Sequence, residues 1–213
     1  MRLCCATFLA FVSATSAMAS ESREAVLAAA TGHWRLGIES ASAKPAIVAK
    51  GDVQCGIAAE GSQAFSGAQV ARLNGGYFDA GPTIHLNEKG CTVYLRARDP
   101  SGKWGTALLA KRGTHDTVNY NLYSVGGAIG FEIHTESGFV GVTFPLSAID
   151  LKAWHDFVGR YDGAKIDLIC DGRVLATAPW AGGKLTQNEE PLLIGAETDS
   201  GKVTRHFHGD VEE

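Results

Sequence analysis

The sequence predicts an all-β fold of the antiparallel sandwich or barrel kind, and three observations carry that prediction. Residues 91–98 alternate strictly, with Cys91, Val93, Leu95 and Ala97 on one face and Thr92, Tyr94, Arg96 and Arg98 on the other, the period of a half-buried strand. Similar short runs recur at 69–74, 106–111, 120–125, 128–135, 139–144, 154–161, 165–170, 173–178 and 191–196. Many short strands at turn-punctuated spacing pack as a sandwich or barrel. Asp162-Gly163 and Asp171-Gly172 fall between alternating runs, where Asp-Gly supplies the positive φ angles of a tight hairpin. The three strands of 154–178 therefore form a meander.

Two segments precede the strands. Met1-Arg2 is followed by an apolar or small uncharged stretch from Leu3 to Ser16 and then by Ala17-Met18-Ala19, the order of a secretory signal peptide cleaved before Ser20. Residues 1–19 are thus expected to be removed and the protein exported to a periplasmic or extracellular setting. The apolar run is too short, and too rich in Ser, Thr and Ala, for a membrane span, and no other segment qualifies. Ser22 can cap a helix over Glu24-Ala25-Val26-Leu27-Ala28-Ala29-Ala30 that Gly32 stops, so 20–32 reads as a short helical lead-in. Residues 33–213 remain for one large domain.

Composition excludes several partners. The net charge is −4, with acidic and basic residues interspersed and no Lys/Arg cluster, which disfavours nucleic acid and anionic membranes. Cys55, Cys91 and Cys170 remain after cleavage, an odd and widely spaced set that gives neither a zinc pattern nor a disulfide framework. Cys91 and Cys170 fall on apolar strand positions and read as buried thiols. No glycine cluster forms a phosphate loop before a helix.

Catalytic patterns are missing too. Glu197-Thr198-Asp199 begins a carboxylate strand but runs into Ser200-Gly201-Lys202 without a third acid, so the paired acids of a glycoside hydrolase are not in place. There is no Gly-x-Ser-x-Gly elbow, Arg98-Asp99-Pro100 ends a strand, and His206 and His208 lack a third ligand nearby. No catalytic residue is expected in this segment. Trp104 follows the loop 99–103 and Trp180 precedes Ala181-Gly182-Gly183; a loop tryptophan either stacks on a sugar ring or covers the sandwich edge. Trp154, Phe157, Tyr161, Ile166, Leu168, Leu193 and Phe207 are predicted interior residues.

The meander is also where the sequence becomes familiar. "AWHDFVGRYDGAKIDLICDGRVLATAP" resembles the strand set of laminin-G-like domains, "PLLIGAE" follows at the usual place, and "FHGDVEE" resembles that family's closing strand. Upstream, "GGYFDAGPTIHL", "CTVYLRAR" and "TALLAKRG…YNLYSVGGAIGFEIHT" fit the opening strands, so the resemblance runs from about His33 to the end. It implies a concanavalin-A-like jelly roll of two antiparallel sheets. It further implies a non-catalytic module with a carbohydrate ligand, for which Trp104 and Trp180 are the candidate contacts. A calcium ion is implied as well, with Asp79, Asp210 and Glu212 as candidate ligands by motif position and hard carboxylate chemistry. The motifs look most like the domains that precede a family-32-type β-fructosidase, so a C-terminal catalytic domain in the same chain, acting on β-fructosides, is expected. A cell-surface adhesion domain with no linked enzyme is the alternative. The closing strand stops at Glu212-Glu213, short of the family pattern, and the sandwich is expected to be incomplete at its C-terminus.

Overall fold

The computed structural model describes residues 34, 36, 46–59, 69–84, 89–102 and 104–212; the expected signal peptide and helical lead-in lie outside them. In chain order the strands are β1 (Val48–Lys50), β2 (Val53–Ala58), β3 (Gln69–Asn74), β4 (Tyr77–Asp79), β5 (Cys91–Arg98), β6 (Ala107–Arg112), β7 (Val118–Val125) and β8 (Ala128–Thr135). They continue as β9 (Gly138–Pro145), β10 (His155–Tyr161), β11 (Lys165–Cys170), β12 (Arg173–Pro179), β13 (Leu192–Ile194), β14 (Glu197–Asp199), β15 (Lys202–Thr204) and β16 (His208–Val211). Sheet I has the order β12-β11-β10-β5-β16-β3-β2 and sheet II the order β1-β4-β13-β6-β7-β8-β9. Among the described residues these strands pair antiparallel throughout. The fold is the expected all-β jelly-roll sandwich, and no described helix is long and apolar enough to cross a membrane.

Alternation decides what each sheet buries. From sheet I, Val93, Leu95, Ala97, Phe157, Tyr161, Ile166 and Leu168 point inward, and from sheet II, Tyr120, Leu122, Ile129, Phe131 and Ile133 meet them. Five of the seven predicted interior residues, Phe157, Tyr161, Ile166, Leu168 and Phe207, belong to this cluster. The other two are corrections. Trp154 is three residues before Phe157, and positions three apart on a strand face opposite ways; its ring lies under the guanidinium groups of Arg96 and Arg98, 5.8 and 5.0 Å from their Cζ atoms. Leu193 is buried, but it pairs with Ala110 and Asp79 and points to the far side of sheet II.

The sheets approach closely at Gly159, where a Cβ would come 2.2 Å from Phe131 Cδ2 across the interior. Only a residue without a side chain fits there. The meander is β10-β11-β12, and its second turn has Asp171 at φ 49 and Gly172 at φ 75, the paired positive φ of a two-residue hairpin. After β13 the chain leaves sheet II as the β14–β15 hairpin, tied to the β6 side by Ser200 N donating to Gly113 O at 2.6 Å and Ala107 N to Arg205 O at 3.1 Å. The sequence marks the start of a strand at Glu197 and the break at Ser200-Gly201, but β15, only three residues long, leaves no alternation to read.

Candidate ligand-binding face

Each sheet turns polar residues outward, and the two outer faces are built differently. On sheet I, Asp210 of β16 stands in register between Arg72 of β3 and Arg98 of β5. Its Oδ1 accepts from Arg72 Nε at 2.7 Å and its Oδ2 from Arg98 Nε at 3.0 Å. Glu212 accepts from Arg96 Nε at 2.8 Å, and Arg96 Nη1 donates to Asp156 at 2.8 Å. Farther along, Asp167 takes Arg160, Lys165 and the Thr177 hydroxyl. These are cross-strand ladders of opposite charge, the favourable pairing on a sheet face.

This lattice settles where the calcium candidates lie. Asp210 is 0% and Glu212 2% exposed, and a cation at Asp210 would have to displace two guanidinium groups. Asp79 is in the other sheet, where its Oδ1 accepts the Gly81 N–H at 2.9 Å and shapes a turn. A hard cation needs about six to eight converging oxygens; these three carboxylates do not converge, and two of them already hold arginines. The donor set does not fit calcium.

The two candidate tryptophans are set at opposite strand ends. Trp104 follows β5 near the start of β10 and is 8% exposed, edge-on to Phe157 and Phe207 with centroids 5.2 and 5.5 Å away. It covers the sandwich edge. Trp180 follows β12 beside the start of β11, is half-buried, and donates Nε1–H to Thr135 Oγ1 at 3.1 Å at the end of β8. Asp99 accepts from Ser101 N and Oγ at 2.8 and 2.6 Å, so the Arg98-Asp99-Pro100 segment is turn structure. His206 leans on Tyr77, centroids 5.8 Å apart.

Sheet II carries an outer cluster that sequence reading missed. Asn121 of β7 and Glu132 of β8 are register partners, and Asn121 Nδ2 donates to Glu132 Oε1 at 2.9 Å and to Glu197 Oε2 at 3.4 Å. Arg112 Nη1 lies 3.4 Å from Glu197 and 3.7 Å from Glu132. The β14–β15 hairpin positions Glu197, whose other oxygen is 3.4 Å from Arg205 Nε. Arg112, Asn121, Glu132 and Glu197 are buried and form a lower tier. Arg112 Nε, Asn121 Oδ1, Asn119 Oδ1 and Thr198 Oγ1 find no partner within the described chain, unlike most buried polar groups.

An upper tier faces solvent. Tyr123 is half-buried over Gly130, where a Cβ would come 2.6 Å from the ring, and it hydrogen-bonds Glu132. Burial first, and Glu132 second, push its phenol up to about 12, so it remains a hydrogen-bonding hydroxyl at neutral pH. The Arg205 side chain is 45% and Phe139 39% exposed, and half-buried His134 contacts Thr186 Oγ1 at 3.2 Å. Burial raises Glu197 above the usual carboxylate range, opposed by Arg112 and Arg205 and aided by Glu132. Such a face offers planar guanidinium, carboxylate, amide and phenol groups beside exposed aromatic surface, the means of recognising a polyhydroxylated ligand. The alternation of Asn119, Asn121 and Tyr123 was the only sequence signal, and it reads equally as a wet face.

The comparisons with known proteins agree on the architecture. The family model described as the concanavalin A-like lectin/glucanases superfamily matches residues 73–213. The CBM40 module of the Ruminococcus gnavus IT-sialidase, bound to α2,3-sialyllactose, is 20% identical with TM-score 0.50, over 59% of this chain and 73% of that one. Domain 4 of a GH43 extracellular arabinanase from Geobacillus stearothermophilus, in complex with arabinotriose, is 11% identical with TM-score 0.52, over 78% and 79%. The binding domain of Paraclostridial Mosquitocidal Protein 1 is 13% identical with TM-score 0.58, over 83% of this chain and 46% of that chain. These likenesses show the fold. No curated protein matches the sequence significantly.

Proposed function

The chain belongs to the concanavalin A-like lectin/glucanases superfamily, and from that premise we propose that it is a carbohydrate-binding module whose ligand lies on the outer face of sheet II. The carrying observation is the two-tier cluster: among buried Arg112, Asn121, Glu132 and Glu197, Glu197 braces exposed Arg205 and Glu132 holds half-buried Tyr123, with exposed Phe139 on the same outer side of the sheet. Ion-pair bracing fixes the polar groups in advance, which lowers the cost of ordering them on binding. Sugar modules of related fold, one with sialyllactose and one with arabinotriose, support the ligand class. Trp180 bonds Thr135, which shares the inward parity of Phe131 and Ile133, and packs against the core, so it stands apart from this face.

The wider setting belongs to the same proposal. The order Met1-Arg2, apolar run, Ala17-Met18-Ala19 supports export, and the motifs of 154–178 and 191–196 support carriage by a β-fructoside hydrolase. Export is tested by sequencing the N-terminus of the secreted protein, which should begin at Ser20; linkage is tested by the domains encoded in the same gene. For the binding itself, calorimetric titration of sialyllactose, arabinotriose and fructo-oligosaccharides is the direct experiment. Saturable binding of one of these, weakened about tenfold by Arg205→Ala, or by about 1.4 kcal/mol, is expected. No binding of any of the three, or binding untouched by changes on this face, overturns the assignment.

A further inference from the structure

The second turn of the meander brings three metal-binding side chains together: His155 from the start of β10, Cys170 from the end of β11, and Asp171 from the turn. One ligand atom from each lies within 4.8 Å of the other two. His155 Nε2 is 2.8 Å from the Asp150 carbonyl, which can only accept, so that nitrogen carries a proton. The other nitrogen, Nδ1, then turns its face to Asp171 Oδ2 at 2.7 Å, and Cys170 Sγ is 3.7 Å from the same oxygen. These three potential ligand atoms face one another within 4.8 Å. A proton on Nδ1 joins two of them; a metal ion joins all three.

The surroundings are those of a braced site. Asp171 Oδ1 is held by the Asp156 N–H at 2.9 Å, Asp171 N donates back to Asp156 O at 2.9 Å, and the His155 ring tilts against Phe157 with centroids 5.8 Å apart. A ligating histidine that gives its other N–H to a backbone carbonyl, beside a carboxylate that is itself hydrogen-bonded, is the usual outer-sphere arrangement around a protein-bound metal. Cys170 is 6% exposed, while the Asp171 side chain is 51% exposed and opens the site to solvent.

We propose that His155, Cys170 and Asp171 bind one divalent transition-metal ion of the zinc type, with a fourth, outward position left to water. Imidazole, thiolate and carboxylate form a borderline-soft set that suits zinc or cobalt rather than calcium or magnesium. Tetrahedral bonds of about 2.0–2.3 Å place such ligand atoms roughly 3.3–3.6 Å apart. The sulfur–oxygen separation of 3.7 Å is close to that range, the nitrogen–oxygen pair at 2.7 Å opens by a small rotation of the exposed carboxylate, and the nitrogen–sulfur pair, within 4.8 Å, closes by a similar adjustment. Binding replaces the thiol proton by the metal–sulfur bond and the proton between His155 Nδ1 and Asp171 Oδ2 by the metal–nitrogen bond, and releases both to solvent. The ion clips the start of β10 to the β11–β12 turn.

Cobalt(II) titration of the metal-free protein is the test. One equivalent should produce a thiolate-to-cobalt charge-transfer band with tetrahedral visible bands, and zinc should displace it. Cys170→Ser should abolish the charge-transfer band, and Asp171→Asn, which keeps a residue tolerant of φ 49, should weaken binding at least about tenfold, since even outer-sphere losses cost that much. A wild-type protein without the band, or a band that survives Cys170→Ser, overturns the proposal. Zinc should also raise the melting temperature of the wild type and leave that of His155→Gln unchanged, a readout independent of the thiol.

Discussion

The outer faces of the two sheets use the same kinds of residue to opposite ends. On sheet I the charges alternate from strand to strand, Arg72–Asp210–Arg98 and Glu212–Arg96–Asp156, so each carboxylate meets a guanidinium from the next strand. On sheet II two carboxylates from different elements, Glu132 and Glu197, crowd around one buried arginine and one amide, while a second arginine projects into solvent. A ladder in register pairs its carboxylates within the sheet, so even Arg72, whose side chain is 40% exposed, is already engaged by Asp210. A cluster assembled from a strand and a hairpin leaves atoms unmatched and partners exposed. Register, more than composition, separates a polar face that closes on itself from the one proposed to bind.

The strongest way to break this contrast is to remove the centre of the ladder. Asp210→Ala leaves Arg98, only 15% exposed, without its cross-strand carboxylate, and breaking such a buried pair costs about 3–5 kcal/mol. Urea denaturation should show that loss, whereas Arg205→Ala on sheet II should change stability by less than about 0.5 kcal/mol, as exposed substitutions do. Comparable losses from both changes would mean that the two faces do not differ in kind.

Next in size is a change that touches neither face. Gly159→Ala puts a methyl group 2.2 Å from the Phe131 ring, and overpacking of this sort costs about 1–3 kcal/mol. Because it acts on the interior shared by both sheets, it should lower the denaturation midpoint and leave metal binding and sugar affinity per folded molecule as they were.

These sites also mark how far the sequence is legible. The bounds and inward face of the strand 91–98 are legible to the last residue, but the half-buried expectation fails: Thr92, Tyr94 and Arg96 on the outer face are buried too, because neighbouring strands cover them with ion pairs that local alternation does not show. The Asp171-Gly172 turn was equally plain, since its φ signs demand those residues. Trp154 has the size of a core residue, but parity overrides size: a ring three residues from an inward Phe157 faces outward. The calcium assignment followed motif position, and cross-strand register, which decides that Arg72 and Arg98 flank Asp210, has no trace in the local sequence. Glu197 has no third acid on its own strand to mark it; its companion Glu132 lies 65 residues earlier, in β8.

A third change sharpens the contrast through the ligand. Phe139, 39% exposed on the sheet II side, adds apolar surface for a sugar ring, and Phe139→Ala should weaken glycan binding roughly five- to tenfold, about 1 kcal/mol. The paired control is Trp104→Phe, buried among Phe157 and Phe207. That variant should lose stability and keep its affinity. The reverse pattern would move the binding surface to the strand end that Trp104 covers.

The smallest effect is the most diagnostic, because it differs in sign between the faces. Burial alone would raise the Asp167 carboxyl, but hydrogen bonds from Lys165, Thr177 and Arg160 outweigh it and hold the group below its ordinary value of 3.8. A carboxyl lowered by folding contributes stability that is complete above the unfolded value and fades as pH falls through the folded one. Glu197 on sheet II is raised above 4.5, by burial first, with Glu132 adding to it and Arg112, Arg205 and Asn121 opposing. Its contribution is complete below pH 4.5 and is lost as pH rises through the raised folded value. The stability of the wild type relative to Asp167→Asn should therefore decline toward acid pH and be flat above pH 4. Relative to Glu197→Gln it should decline in the opposite direction, from pH 4 upward. Melting temperatures of the three proteins across pH 3–8 give both slopes at once. A ligand that presents a hydrogen-bond donor to Glu197 would favour the ionised carboxylate and flatten the second slope alone, so repeating the series with the bound sugar separates a binding cluster from a merely strained one.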